Sequence, residues 1–136
     1  FSHGGLNAAA IEAALIGKEH GATVAAVTSM QNYHINPAHH SSGKKLADVA
    51  DFTIDNGAPP EDAIVHIENW AEPVAAASTV MVVVISMTLI AETASILASE
   101  GEYRPTFASP NVVTDPDHDY KVYEKYKIFH KQIIGY

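Results

Sequence analysis

The residues best suited to chemistry stand at the front of the chain. Ser2-His3-Gly4-Gly5-Leu6-Asn7 joins hydroxyl, imidazole and amide side chains to two adjacent glycines, just ahead of a helical pattern. Glycines let the backbone approach an anion and turn its N–H groups inward. A helix N-terminus adds about half a positive charge. That combination suits a phosphate held by main-chain amides, with Ser2 donating a hydroxyl and Asn7 donating an amide or capping the helix. Two other phosphate loops fit worse. A P-loop needs GxxxxGK[ST], and no lysine precedes Lys18. A dinucleotide fingerprint needs GxGxxG and an acid ending the next strand, where this chain has Thr28-Ser29. Hydroxyls at that position suit a phosphate or a sugar. A plain strand-to-helix turn accounts for the glycine pair equally well.

Elements that position this loop follow from periodicity. Asn7 caps a helix running to about His20, with Ala8, Ile11 and Leu15 on one face and Gly21 as its stop. Thr23 to Thr28 is a short strand apolar on both faces, as a parallel sheet requires. Met30 to Ser42 is a loop rich in Asn, His, Pro and Ser. Ser41 or Ser42 then caps a short helix over Lys44 to Val49. Asp51 to Asp55 and Ala63 to Ile67 are further strands, separated by the Asn56 to Pro60 turn. Asp55 and Asp62 flank that turn, in keeping with capping roles. Ser78 opens a long apolar helix ending near Gly101, and Arg104 to Ser109 is a short last strand. Asp117 to Ile133 is amphipathic, with Val122, Tyr126, Phe129 and Ile133 in a stripe. Alternating helices and apolar strands imply an α/β fold, a Rossmann-like parallel sheet flanked by helices. The chain is expected to be the C-terminal part of a single domain, because its first loop calls for a preceding strand.

Composition excludes several classes. Hydrophobic residues make up 47% and charged residues 18%, a globular balance. The formal charge is -8 with eight Lys plus Arg, so no cationic cluster exists to bind nucleic acid. There is no cysteine, which excludes disulfides and fits a cytoplasmic protein. Val74 to Ala91 carries no charge but lacks flanking Lys or Arg, so a buried core helix is expected rather than a membrane span. His34, His39, His40 and His118-Asp119 fall at no metal-ligand spacing, and neither metal nor cofactor is expected.

Three blocks carry a resemblance. Ser2 to Asn7 is similar to the S-x-S-G-x-[TN] phosphate loop of SIS (sugar isomerase) domains. His40-Ser-Ser-Gly-Lys-Lys-Leu46 and Asp51-Phe-Thr-Ile-Asp-Asn-Gly-Ala-Pro59 resemble the H-x-S-G-K-x-L and D-x-x-I-D-N-G-A-P blocks of the UPF0309-type subgroup, some of which are labelled phosphoheptose isomerases. Pro73 to Thr79 and Phe107 to Val112 continue the match in order. The resemblance implies a five-stranded parallel sheet, a small phosphorylated sugar as ligand, and a homodimer or larger homo-oligomer. Carried over, Ser2, Gly5 and Asn7 fall on the phosphate loop, and Ser78 and Thr79 on a second ligand-facing helix start. The second loop serine of the family is Gly4 here, which removes one hydroxyl.

Aldose–ketose isomerisation needs an acid and a base. No titratable residue lies between Thr79 and Glu92, so the long helix supplies neither. The loop histidines remain: His3 within the phosphate loop, and His39 and His40 on the expected ligand edge, His40 foremost as catalytic candidate. The ligand-binding set is Ser2, His3, Gly4, Gly5, Asn7, Thr28, Ser29, Ser78 and Thr79. Two expectations stand together, an isomerase-like enzyme and a non-catalytic phosphosugar-sensing module.

Overall fold

The computed structural model describes residues 1–134. It is mixed α/β, in the order α1 (Ala8–Glu19), β1 (Ala25–Thr28), α2 (Met30–Ile35), α3 (Leu46–Val49), β2 (Phe52–Asp55), β3 (Ala63–Val65), β4 (Val74–Ala76), α4 (Ala77–Ser99) and α5 (His118–Ile134). The chain divides into two compact units, Phe1–Ile90 and Ala91–Tyr136.

In the first unit, Asn7 begins α1 by accepting the Ala9 N–H at 3.0 Å. A cap of this kind contributes about 1 kcal/mol. At the other end Gly21 sits at φ +75°, and the Ala22 N–H reaches back to the Gly17 carbonyl at 2.9 Å. This closes the last turn in the Schellman manner. The buried face of α1 is Ile11 and Ala14, packed with Ala26, Leu46 and Val49; Leu15 is partly buried against them and Ala8 is exposed.

β1 pairs in parallel with β2, from Ala25 opposite Phe52 to Thr28 opposite Asp55. Its other side is also occupied. The Ser2 N–H donates to the Val27 carbonyl at 3.1 Å, and the Ser29 N–H to the His3 carbonyl at 2.7 Å. Residues 1–3 thus run beside β1, which explains why Ala26, Val27 and Thr28 are buried. Asp51 secures the seam by accepting from Lys18 Nζ at 2.5 Å and from the Val24 N–H at 2.9 Å. Lys18 foremost, then that amide, holds the Asp51 carboxyl below the usual carboxylate range.

Several expectations change. Residues 30–35 form a helix, because Ser29 Oγ caps it through the Asn32 N–H. The short helix starts at Leu46, and neither Ser41 nor Ser42 caps it. Lys45 is its N-cap, and Asp48 takes the Lys45 N–H at 2.7 Å. The third strand, β3, pairs antiparallel with β4, a strand hidden in the apolar run before α4. The described sheets are therefore one parallel pair and one antiparallel pair.

α4 also departs from expectation. None of its residues is buried, and Val80, Val83, Met87 and Ile90 are each more than half exposed. Its apolar residues surround the helix; Met81, Val82 and Ile85 are partly buried. It is long and apolar enough to cross a membrane by length and composition.

In the second unit, residues 104–109 form no strand. They are fastened to α5 by side chains instead: Asp119 accepts the Ala108 N–H, His118 meets the Thr106 carbonyl, and Tyr126 donates to the Pro105 carbonyl. Val122 is buried as the α5 stripe requires, while Tyr126 is exposed. The side chains of Phe129 and Ile133 lie outside the described residues.

Candidate functional site

The strands of the parallel pair end at Thr28 and Asp55, and the segment beside β1 ends at His3. At these carboxyl ends lies an open cavity of about 220 Å³, lined by Ser2, His3, Asn56, Ser78 and Thr79 over walls from Val27 and Val82. Ligands of parallel α/β sheets favour this edge. Four of the sequence-derived ligand residues, Ser2, His3, Ser78 and Thr79, meet here. Asn56 is an addition. Its Oδ1 accepts the Ala58 N–H at 2.9 Å, and its Nδ2 makes no hydrogen bond among the described residues. The Asp-Asn-Gly turn after β2 was its signal, since that turn occupies the same edge.

The glycine loop uses only part of its main-chain N–H set internally. Gly5, buried and at φ +64°, turns the chain, and its N–H donates to the Ser2 carbonyl at 3.2 Å. The Ser2 N–H is spent on Val27. Among the described residues, the N–H groups of His3, Gly4, Leu6 and Asn7 make no hydrogen bond. Asn7 itself serves as the helix cap. Gly4 faces Asn32, whose Oδ1 would stand 2.9 Å from an added Cβ. The Asn32 amide donates to the Pro60 carbonyl and accepts from Asn36, so it occupies the room a serine at position 4 would need.

Thr28 and Ser29 are unavailable as ligand donors. Both are fully buried. Thr28 Oγ1 donates to the His3 carbonyl at 2.9 Å, and Ser29 Oγ to the Ala58 carbonyl at 2.6 Å. Their hydroxyls hold the loop and the turn in place. His40 does not line the cavity. It is held between Glu12 of α1 and Ser42.

His3 lines the cavity, and Asp62 stands behind it, in contact with His3 and Ser78. His3 Nε2 donates to the Pro60 carbonyl at 3.1 Å, which places its neutral-form proton on that nitrogen. Nδ1 lies 3.8 Å from Asp62 Oδ1 and is the buried side-chain nitrogen left without a partner among the described residues. Asp62, at φ +67°, starts α4 by accepting the Ser78 N–H and the Ser78 hydroxyl, both at 2.7 Å. Burial pushes its carboxyl up, but the two Ser78 hydrogen bonds, His3 and a backbone N–H together hold it below the usual range. Because the Ser78 proton goes to Asp62, Ser78 Oγ meets a ligand as an acceptor. The hydroxyls of Ser2 and Thr79 are uncommitted among the described residues. Among those residues, no group of three or more His, Cys, Asp or Glu side chains is placed to hold a metal.

No protein-family model matches the chain. It is 36% identical over 127 residues to a UPF0309 protein of Geobacillus sp. (strain WCH70), covering 93% of this chain and 51% of that protein. A UPF0309 protein of Caldanaerobacter subterraneus subsp. tengcongensis is 38% identical over 128 residues, covering 93% and 52%. One from Listeria innocua is 35% identical over 126 residues, covering 93% and 51%. The chain spans about half the length of the curated relatives it matches. Over most of its own length the chain is therefore similar to UPF0309 proteins, and that similarity supports the UPF0309 family.

Proposed function

We propose that the cavity at the strand ends binds a small phosphorylated sugar, in an SIS-like arrangement whose parallel sheet is only partly contained in this chain. The phosphate sits at the loop before α1, and the sugar hydroxyls extend toward Ser78, Thr79 and Asn56. The observation that carries the reading is the set of unspent main-chain N–H groups at His3, Gly4, Leu6 and Asn7, in the loop whose Ser2 and His3 line the cavity. Ser78 supports the same orientation. As an acceptor beside a carboxylate it suits a sugar hydroxyl and disfavours a phosphate oxygen.

Binding without turnover is the role the side chains favour. His40 lies off the cavity, and α4 brings no acid or base before Glu92. His3 has one nitrogen engaged by Pro60 and the other turned toward Asp62. A phosphoheptose-isomerase-like activity would have to draw on His3.

Thermal unfolding with sedoheptulose 7-phosphate, hexose 6-phosphates, the free sugars and inorganic phosphate tests the proposal. Ligand at a hundredfold excess over Kd stabilises a single site by about 2.7 kcal/mol. A sugar phosphate is expected to raise the melting temperature well beyond its free sugar. No shift with any sugar phosphate, or equal shifts with free sugars, refutes it. Isomer formation that is lost in His3→Gln would move the assignment to an enzyme.

A further inference from the structure

Outside the cavity, His40-Ser41-Ser42-Gly43-Lys44 builds a second arrangement that phosphosugar binding leaves unused. The Ser42 main-chain N–H donates to His40 Nδ1 at 3.2 Å. A ring nitrogen that accepts from an amide carries no proton, so the proton is on Nε2, which donates to Glu12 Oε1 at 2.8 Å. The main chain thereby fixes the tautomer. Ser42 Oγ lies 2.8 Å from the same Nδ1 lone pair. The His40 side chain is 6% exposed, whereas Ser42 is open to solvent. Hydroxyl, unprotonated imidazole nitrogen and orienting carboxylate, joined in that order, are the parts that activate a serine. The adjacent Ser41 is also exposed, and its hydroxyl makes no hydrogen bond among the described residues.

We propose that Ser42 is an activated nucleophile that takes an acyl group from an activated acyl ester, with His40 as its base and Glu12 as a positioning residue. Ser42 Oγ bonds to the carbonyl carbon as its proton passes to His40 Nδ1. The carbon–oxygen bond to the leaving group then breaks, and the leaving oxygen takes the proton from Nδ1. The products are an O-acyl serine and the free alcohol or phenol, with no change of oxidation state. Gly43, at φ +71° with nothing within 4 Å of where a Cβ would stand, leaves the approach open. The neighbouring amides are spent: Ser42 on His40 Nδ1, Gly43 on the His40 carbonyl and Lys44 on Ser42 Oγ. Without a pair of amides for the developing oxyanion, the donor must carry a good leaving group, and the acyl-serine accumulates instead of turning over rapidly.

The test is acetylation of the full chain by p-nitrophenyl acetate, located by peptide mass mapping. A positioned base contributes about 100-fold or more, so Ser42 is expected to acetylate about 100-fold faster than Ser41. His40→Asn should bring the two serines level. Glu12→Gln should slow Ser42 and alter its pH profile while leaving Ser41 unchanged. Ser41 in the same molecule guards against an effect of misfolding, and Ser42→Cys should keep the acyl-accepting position active. Equal labelling of the two serines in the unaltered chain, or a Ser42 excess that survives His40→Asn, overturns the proposal.

Discussion

Gly5→Ala puts a methyl group where the first loop leaves no room. Gly5 lies at φ +64°, and an added Cβ would stand 2.9 Å from Thr28 Oγ1 and 3.6 Å from Leu46 Cβ. Left-handed backbone costs a residue with a Cβ roughly 1–2 kcal/mol. Thr28 Oγ1 cannot yield freely, because it is fully buried and donates to the His3 carbonyl. Losing that hydrogen bond costs about 1 kcal/mol more. Alanine restricts the unfolded chain and returns about 0.5 kcal/mol. The net loss is about 2 kcal/mol. Urea unfolding followed by circular dichroism reads it as a lowered midpoint at unchanged slope. Gly21→Ala is the comparison, since Gly21 has φ +75° and nothing within 4 Å of its added Cβ. It should show the backbone cost alone. If Gly5→Ala is no more destabilising than Gly21→Ala, the argument that Thr28 and the loop are locked together is wrong.

Gly4→Ser should destabilise the chain by about 1–2 kcal/mol through overpacking against Asn32. In the Asn32→Ala background the cost should largely vanish, as a double-mutant cycle in urea would measure. Tyr33 donates to Asp48 at 2.6 Å; this bond is the leading reason the Asp48 carboxyl is held below its ordinary value and the Tyr33 hydroxyl is raised above its own. Asp48 therefore contributes stability that is present above its unfolded pKa of about 4 and is lost as pH falls through its lower folded value. Tyr33 contributes stability that is present below about pH 10 and is lost as pH rises through its raised folded value. The deficit of Tyr33→Phe in unfolding free energy should thus be flat near neutrality and shrink at both extremes; a deficit constant from acid to alkali would refute the pairing. Val83→Lys with Ile90→Lys should lower binding of an apolar-surface dye without lowering the melting temperature, because both positions are exposed. A large loss of stability would mean that α4 is covered in solution.

Local chemistry was legible in the sequence, and long-range commitments were not. The Asn7 cap, the Gly21 stop and the burial of Ile11 are decided within a few residues and appear as expected, although Ala14 rather than Ala8 joins Ile11 on the buried face. Thr28 and Ser29 offered the right hydroxyls at the right strand end. Their partners, the carbonyls of His3 and Ala58, lie 25 and 29 residues away, beyond what spacing reveals. Residues 30–35 looked like loop because one and a half turns are too few to show a helical period. β4 was hidden because three apolar residues leading into an apolar helix carry no mark of their own. α4 shows the opposite failure. Its hydrophobicity was read correctly, but hydrophobicity states a need for cover, not that the described residues meet it.

Asp62 joins two things that are remote in sequence. One carboxylate seats the opening turn of α4 and also faces the imidazole of the glycine loop. A guest settling beside His3 therefore loads the anchor of the long helix as well as the loop it touches. Protection of the Ser78 amide against hydrogen exchange becomes a natural gauge of cavity occupancy.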